Sequence, residues 1–143
     1  HLQAFSKFKP GYLHDFDKMA KRIEQFPNIN FIGHGPHFWN HFSINTDMYY
    51  IHYKAKVKGP GKVDEFLEKY DNFYCDISGN SGFFALNRDL AYTRKFLDKH
   101  ASKILFGSDN TPHDFIGLLQ SMKLSTAQLN NILGMNASQL LVG

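Results

Sequence analysis

Three apolar runs in this sequence end in residues that can do chemistry. Phe31-Ile32-Gly33 leads into His34, Phe73-Tyr74-Cys75 into Asp76 and then Ser78, and Leu105-Phe106-Gly107-Ser108 into Asp109. An imidazole and carboxylates on one rim suit a divalent metal ion or acid-base work. His37 and His41 are spaced like a helical zinc pair, but Gly35 and Pro36 argue against a helix, so solvated loop histidines are the plainer reading. Trp39 and the loop tyrosines Tyr49, Tyr50 and Tyr53 are candidates for a substrate wall; packing the loop onto the fold is the alternative. Ser78, with Asn80 and Ser81, is a candidate substrate contact in Ser-Gly-Asn-Ser-Gly, against a plain Gly-rich turn between strand and helix. That stretch lacks the Gly and Lys spacing of a phosphate loop. Cys75 reads as a small core residue.

The elements that must hold these residues alternate. Phe16, Met19, Ala20 and Ile23 recur at helical spacing, Pro27 closes that helix, and Asn30 to His34 is a strand. Val63, Phe66, Leu67 and Tyr70 form a second helical stripe before a strand at Phe73 to Ile77. Leu90, Thr93, Arg94 and Leu97 form a third before a strand within Lys103 to Asp109. Strands separated by helices pair in parallel, so the fold class is α/β, and in such folds sites lie at the carboxyl ends of the strands. Phe115, Leu118, Leu119 and Met122 begin a helical tail. Ser125-Thr126-Ala127-Gln128 has the form of a capping box, and Gly134 is expected to end that helix. Asn136-Ala137-Ser138 is formally a glycosylation sequon, though a helix cap at Asn136 is the plainer reading. The connection from Gly35 to Gly61 has no clear period, and a loop of that length is usually functional or covers something.

Composition sets the outer limits. The chain has 143 residues, 43% of them hydrophobic and 15% aromatic, which excludes a disordered chain and leaves one domain's worth of sequence, 1–143. A formal charge of +3, with the basic residues scattered apart from Lys54, Lys56, Lys58 and Lys62, gives no reason to expect nucleic acid. No apolar run reaches the roughly 18 residues of a membrane helix, and the single cysteine cannot form an internal disulfide, so a soluble cytoplasmic protein is expected.

Four stretches carry a resemblance. Phe26 to Gly35, Asn72 to Gly79, Lys103 to Asp109 and Asn130 to Ala137 are similar, in order and spacing, to the last strands and final helix of the amidohydrolase-related metal-dependent hydrolases. These are TIM-barrel enzymes, and the family includes decarboxylases of small aromatic acids. The resemblance implies that the chain is the C-terminal half of a (β/α)8 barrel, which needs about 250 residues in full. It implies one divalent metal, most simply zinc, with Asp109 as ligand and base, His1 where a further ligand falls, and His34 orienting the water or substrate. The implied reaction is hydrolysis of a small carboxylic ester, lactone or amide, or metal-assisted decarboxylation of a small acid. The family's His-x-His ligand pair is missing from this sequence, so the chain alone is expected to bind metal weakly and to be inactive. An open barrel edge would then favour self-association. A free-standing α/β binding domain without metal is the reading from another class.

Overall fold

A computed structural model describes residues 15–44 and 55–142, and these form mixed α/β structure on a parallel sheet. The first helix, α1 (Phe16–Gln25), starts where the Asp15 carboxylate accepts the backbone N–H groups of Asp17 and Lys18, satisfying donors that a helix start leaves unpaired. Strand β1 (Phe31–Gly33) follows, then a short helix α2 (Pro36–Asn40). The helix at Pro36 corrects the reading of a loop there. Proline at a first helical position forfeits no hydrogen bond and brings a suitable φ, so it opens the helix instead of preventing it. His37 is consequently buried and the His41 ring packs 4.5 Å from Phe16, so neither is a solvated loop histidine.

The second unit is α3 (Lys62–Lys69) and β2 (Phe73–Asp76), followed at once by α4 (Gly79–Asn87). Helix α4 occupies the stretch whose plain reading was a turn. The third unit is α5 (Leu90–His100), capped by the Asp89 carboxylate, and β3 (Ile104–Leu105). Strand order is β1-β2-β3, all parallel, with Phe31 opposite Phe73, Gly33 opposite Cys75, Cys75 opposite Ile104 and Asp76 opposite Leu105.

Side chains alternate across a strand. Phe73, Cys75 and Ile104 point into the helical layer and are fully buried with Phe38, Trp39, Phe42, Phe66, Leu97 and Ile77. The other face carries Tyr74, Asp76 and Ile32, and Ile32 is 51% exposed. Cys75 is therefore the core residue its position suggested.

The tail is α6 (Phe115–Ser121), α7 (Thr126–Asn130) and α8 (Asn136–Val142). The capping box at Ser125 and Gln128 is formed. Gly134 interrupts the helix as expected: its backbone is not helical, with φ of 179° and ψ of −29°, and the chain kinks there before α8. Asn136 is not a helix cap. Its buried side-chain amide donates to the carbonyls of Ala101 and Ile104, bonding the tail to the end of α5 and to β3. Among the described residues, no helix is long and apolar enough to cross a membrane. His1 and the loop tyrosines Tyr49, Tyr50 and Tyr53 lie outside the described residues.

Candidate functional site

Register assembles the site. Because Gly33 lies opposite Cys75, the next residues, His34 and Asp76, come out side by side at the carboxyl end of the sheet. The Nδ1 atom of His34 is 3.2 Å from Oδ2 of Asp76, and its Nε2 is 3.5 Å from Oδ2 of Asp109, which follows β3. One imidazole thus lies between two carboxylates from two neighbouring strands. The His34 ring is mostly covered, whereas the Asp109 side chain is 58% exposed and so open to solvent or ligand.

Asp76 is held from several sides. Its Oδ1 accepts the Ser78 backbone N–H at 2.8 Å, its Oδ2 accepts the Ser78 hydroxyl at 2.7 Å, and its main-chain carbonyl accepts the Trp39 indole N–H at 3.2 Å. Burial by itself would raise the Asp76 pKa; the His34 contact and the two Ser78 hydrogen bonds outweigh it and leave the carboxyl below its ordinary value. His34 moves the other way. The Asp76 carboxylate beside it raises its pKa against the opposing effect of burial, and the charge of Asp109 adds to the rise.

Asp109 sits on unusual backbone. It and Asn110 have φ of 42° and 53°, in the left-handed region that Asp and Asn enter more readily than most residues. The loop is tied to the one after β2, where the Gly79 N–H donates to the Ser108 carbonyl and the Thr111 hydroxyl donates to Asn80 Oδ1 at 2.9 Å.

The residues singled out from sequence therefore divide. His34 and Asp109 come together. Ser78 lies beside them with its side chain buried and its hydroxyl bonded to Asp76. Trp39 is 2% exposed within an aromatic cluster of Phe38, Phe42 and Phe96, and reaches the site through its bond to the Asp76 carbonyl. Asp76 was visible as a strand-end acid, but its pairing with His34 was not, because that pairing depends on strand register.

The donor types, an exposed carboxylate beside an imidazole whose other nitrogen faces a second carboxylate, fit one edge of a divalent-metal site. Among the described residues, no three His, Cys, Asp or Glu side chains group as a metal site requires. No protein-family model matches the chain, and comparison with curated proteins and with solved structures likewise gives no match.

Proposed function

We propose that this chain is part of a metal-dependent hydrolase of the amidohydrolase type, acting on a small carboxylic ester, lactone or amide. The observation that carries the reading is the His34 imidazole set between Asp76 and Asp109 at the carboxyl end of a parallel sheet. The barrel expectation gains support from the sheet itself. Parallel sheets are normally covered on both faces, and here the face bearing Ile32 is only partly covered; closure with further strands would bury it.

In this reading Asp109 and, from outside the described residues, His1 hold a divalent cation, with zinc the natural choice for such donors. The cation supplies Lewis acidity toward a carbonyl-type oxygen. Asp109 presents an exposed carboxylate that can take a proton from water. His34, with its pKa raised, keeps a proton available at Nε2 for the oxygen or nitrogen that leaves. The same proton, delivered to carbon, would serve the decarboxylation of a small acid, which is the alternative within the family.

Zinc titration by calorimetry, with Asp109→Ala and His34→Ala alongside, tests the reading. Weak binding is expected for the chain, with an affinity lowered at least about tenfold by Asp109→Ala. Binding that is indifferent to Asp109→Ala overturns the metal assignment. Hydrolysis of small nitrophenyl esters with added zinc is expected to be weak and lost in both variants; activity equal in all three proteins removes the site from the reaction.

A second reading, self-association without catalysis, is favoured by the sheet edges, since β1 and β3 each have only β2 as a neighbour among the described strands.

A further inference from the structure

We infer that His113 is a positioning residue: its ring, stacked on α4, fastens the turn that carries Asp109 and so fixes the direction in which that carboxylate faces. The consequences for metal binding rest on the reading above; the fastening of the turn does not.

Ser108, Asp109, Asn110 and Thr111 form a four-residue turn closed by the Thr111 N–H, which donates to the Ser108 carbonyl at 3.1 Å. Both central residues have positive φ, as in a type I′ turn, a conformation that residues other than glycine keep only where their surroundings hold them in it. The surroundings here are one face of α4. At one corner of the turn the Ser108 carbonyl also accepts the Gly79 N–H at 3.4 Å, and at the other the Thr111 hydroxyl donates to Asn80 Oδ1 at 2.9 Å. One helical turn further along the same face lie Phe83 and Phe84. His113 reaches both. Its ring lies flat on Phe83, with centroids 4.3 Å apart and planes 15° apart, and meets Phe84 edge-on at 5.0 Å.

The three fastenings are unequal. The bond from Thr111 to Asn80 is exposed, so water competes for both partners and its net gain is small. The bond from Gly79 to Ser108 is long. The stacked ring covers apolar surface, and its platform is firm, because Phe83 also packs edge-on against the buried Phe115 at 5.3 Å. Pro112 passes the constraint on. Its ring fixes φ between Thr111 and His113, and the His113 N–H donates to Thr111 Oγ1 at 3.3 Å, so displacing the imidazole pulls on the turn. On its other side His113 is anchored by its carbonyl, which accepts the Phe115 N–H, and by Asp114, which caps α6.

What the strap does follows from where Asp109 stands. Its Oδ2 lies 3.5 Å from Nε2 of His34, yet more than half of the side chain is exposed. An exposed carboxylate has few neighbours to hold its direction, so the backbone beneath it must supply the precision. A group that holds a ligand or accepts a proton has to keep its atoms within about 0.5 Å of the productive position. With the strap undone, the turn can relax from its left-handed conformation and carry the carboxylate away from His34.

Amide hydrogen exchange of the nitrogen-15-labelled chain, followed by NMR, reads the turn directly. Exchange of the Thr111 N–H, which closes it, is expected to quicken about two- to tenfold in His113→Ala, the equilibrium factor of one aromatic pair, and to return to the wild-type rate in His113→Phe, whose ring can still stack. The Cys75 N–H, bonded to the Lys103 carbonyl within the sheet, should exchange at the wild-type rate in both and so reports that the fold is intact. Thr111 exchange unchanged in His113→Ala, or quickened equally in His113→Phe, overturns the proposal. If His113→Ala fails to fold, Phe83→Leu, which removes the platform ring but keeps most of its bulk, should quicken Thr111 in the same way, and an unchanged rate there overturns the proposal instead. Zinc affinity should fall by a similar factor in His113→Ala and recover in His113→Phe. Zinc binding that is present but indifferent to His113→Ala overturns the control of Asp109. Should exchange behave as expected while even the wild type binds no zinc, the positioning role stands and the metal reading falls. Where hydrolysis is present, a rise in KM at constant kcat that His113→Phe does not reverse would make the ring a substrate contact and overturn the assignment.

Discussion

At the scale of single residues, the placement of Asp109 depends on an atom that is missing from Gly79. Gly79 has φ of 72°, and a Cβ built there would lie 2.5 Å from the Asp109 carboxylate oxygen that faces His34. Gly79→Ala would therefore strain the backbone and displace that carboxylate. The expected cost is about 1 to 3 kcal/mol in urea unfolding, with weaker zinc binding if the metal assignment holds. Unchanged stability would mean that the loop relaxes around the methyl group. His34 and Asp109 were legible in the sequence because each ends an apolar run, and strand ends are where α/β sites form. The pairing of Asp76 with His34 was not legible, because only the β1–β2 register brings it beside an imidazole far away in the chain. Ser78 was legible as a polar strand-end residue, but its burial and the direction of its hydroxyl are tertiary facts.

At the scale of elements, α3 and α5 are joined by a buried polar pair. The His100 ring bonds the Asp64 carboxylate, and Lys99 reaches both Asp64 and Glu68. The hydrogen bond from His100 holds the Asp64 pKa below its ordinary value, with burial opposing and Lys99 assisting. A carboxyl whose pKa is lower folded than unfolded contributes stability above the unfolded value of about 3.9, and that contribution disappears as pH falls through the folded value. Urea midpoints of the wild type should thus fall more steeply below about pH 4 than those of Asp64→Asn. The variant itself should be less stable near neutrality by about 1 to 2 kcal/mol, the effect of replacing a charged hydrogen-bond acceptor by a neutral one. Parallel midpoint curves for the two proteins would refute this account.

The tail supplies a second test at this scale. Asn136→Ala leaves the carbonyls of Ala101 and Ile104 without their donor and should cost about 2 kcal/mol in urea unfolding. A neutral change would show that water replaces the amide. The buried amide is also a poor acceptor for a glycan, despite the sequon. The three amphipathic helices and their following strands were readable from apolar spacing alone. Helices α2 and α4 were hidden by residues that usually signal turns. In α4 the glycine has a packing reason: a Cβ at Gly82 would lie 2.0 Å from the Ile77 carbonyl, so only glycine lets this helix start so close to its strand.

At the scale of the whole molecule, the described residues place helices against one face of the sheet and leave Ile32 half exposed on the other, with Ile29 and Phe26 also exposed nearby in the chain. If a second copy covers this region, sedimentation should show association that grows with concentration and weakens in Ile32→Lys. A monomer over the full accessible range would count against the open-edge reading. The α/β class was legible because helix and strand periods alternate. The proposed barrel would need strands beyond the three described, and no local period encodes such closure. The uneven covering of the sheet also divides the residues of β2 by parity in a way that substitution experiments would record. Along β2, tolerance to polar replacement should alternate from one position to the next, with Phe73 and Cys75 refusing what Tyr74 accepts. Asp76 breaks this rhythm: it lies on the tolerant face yet is constrained by its neighbours, so in a saturation scan a position held by polar contacts would show itself as an error in the alternation.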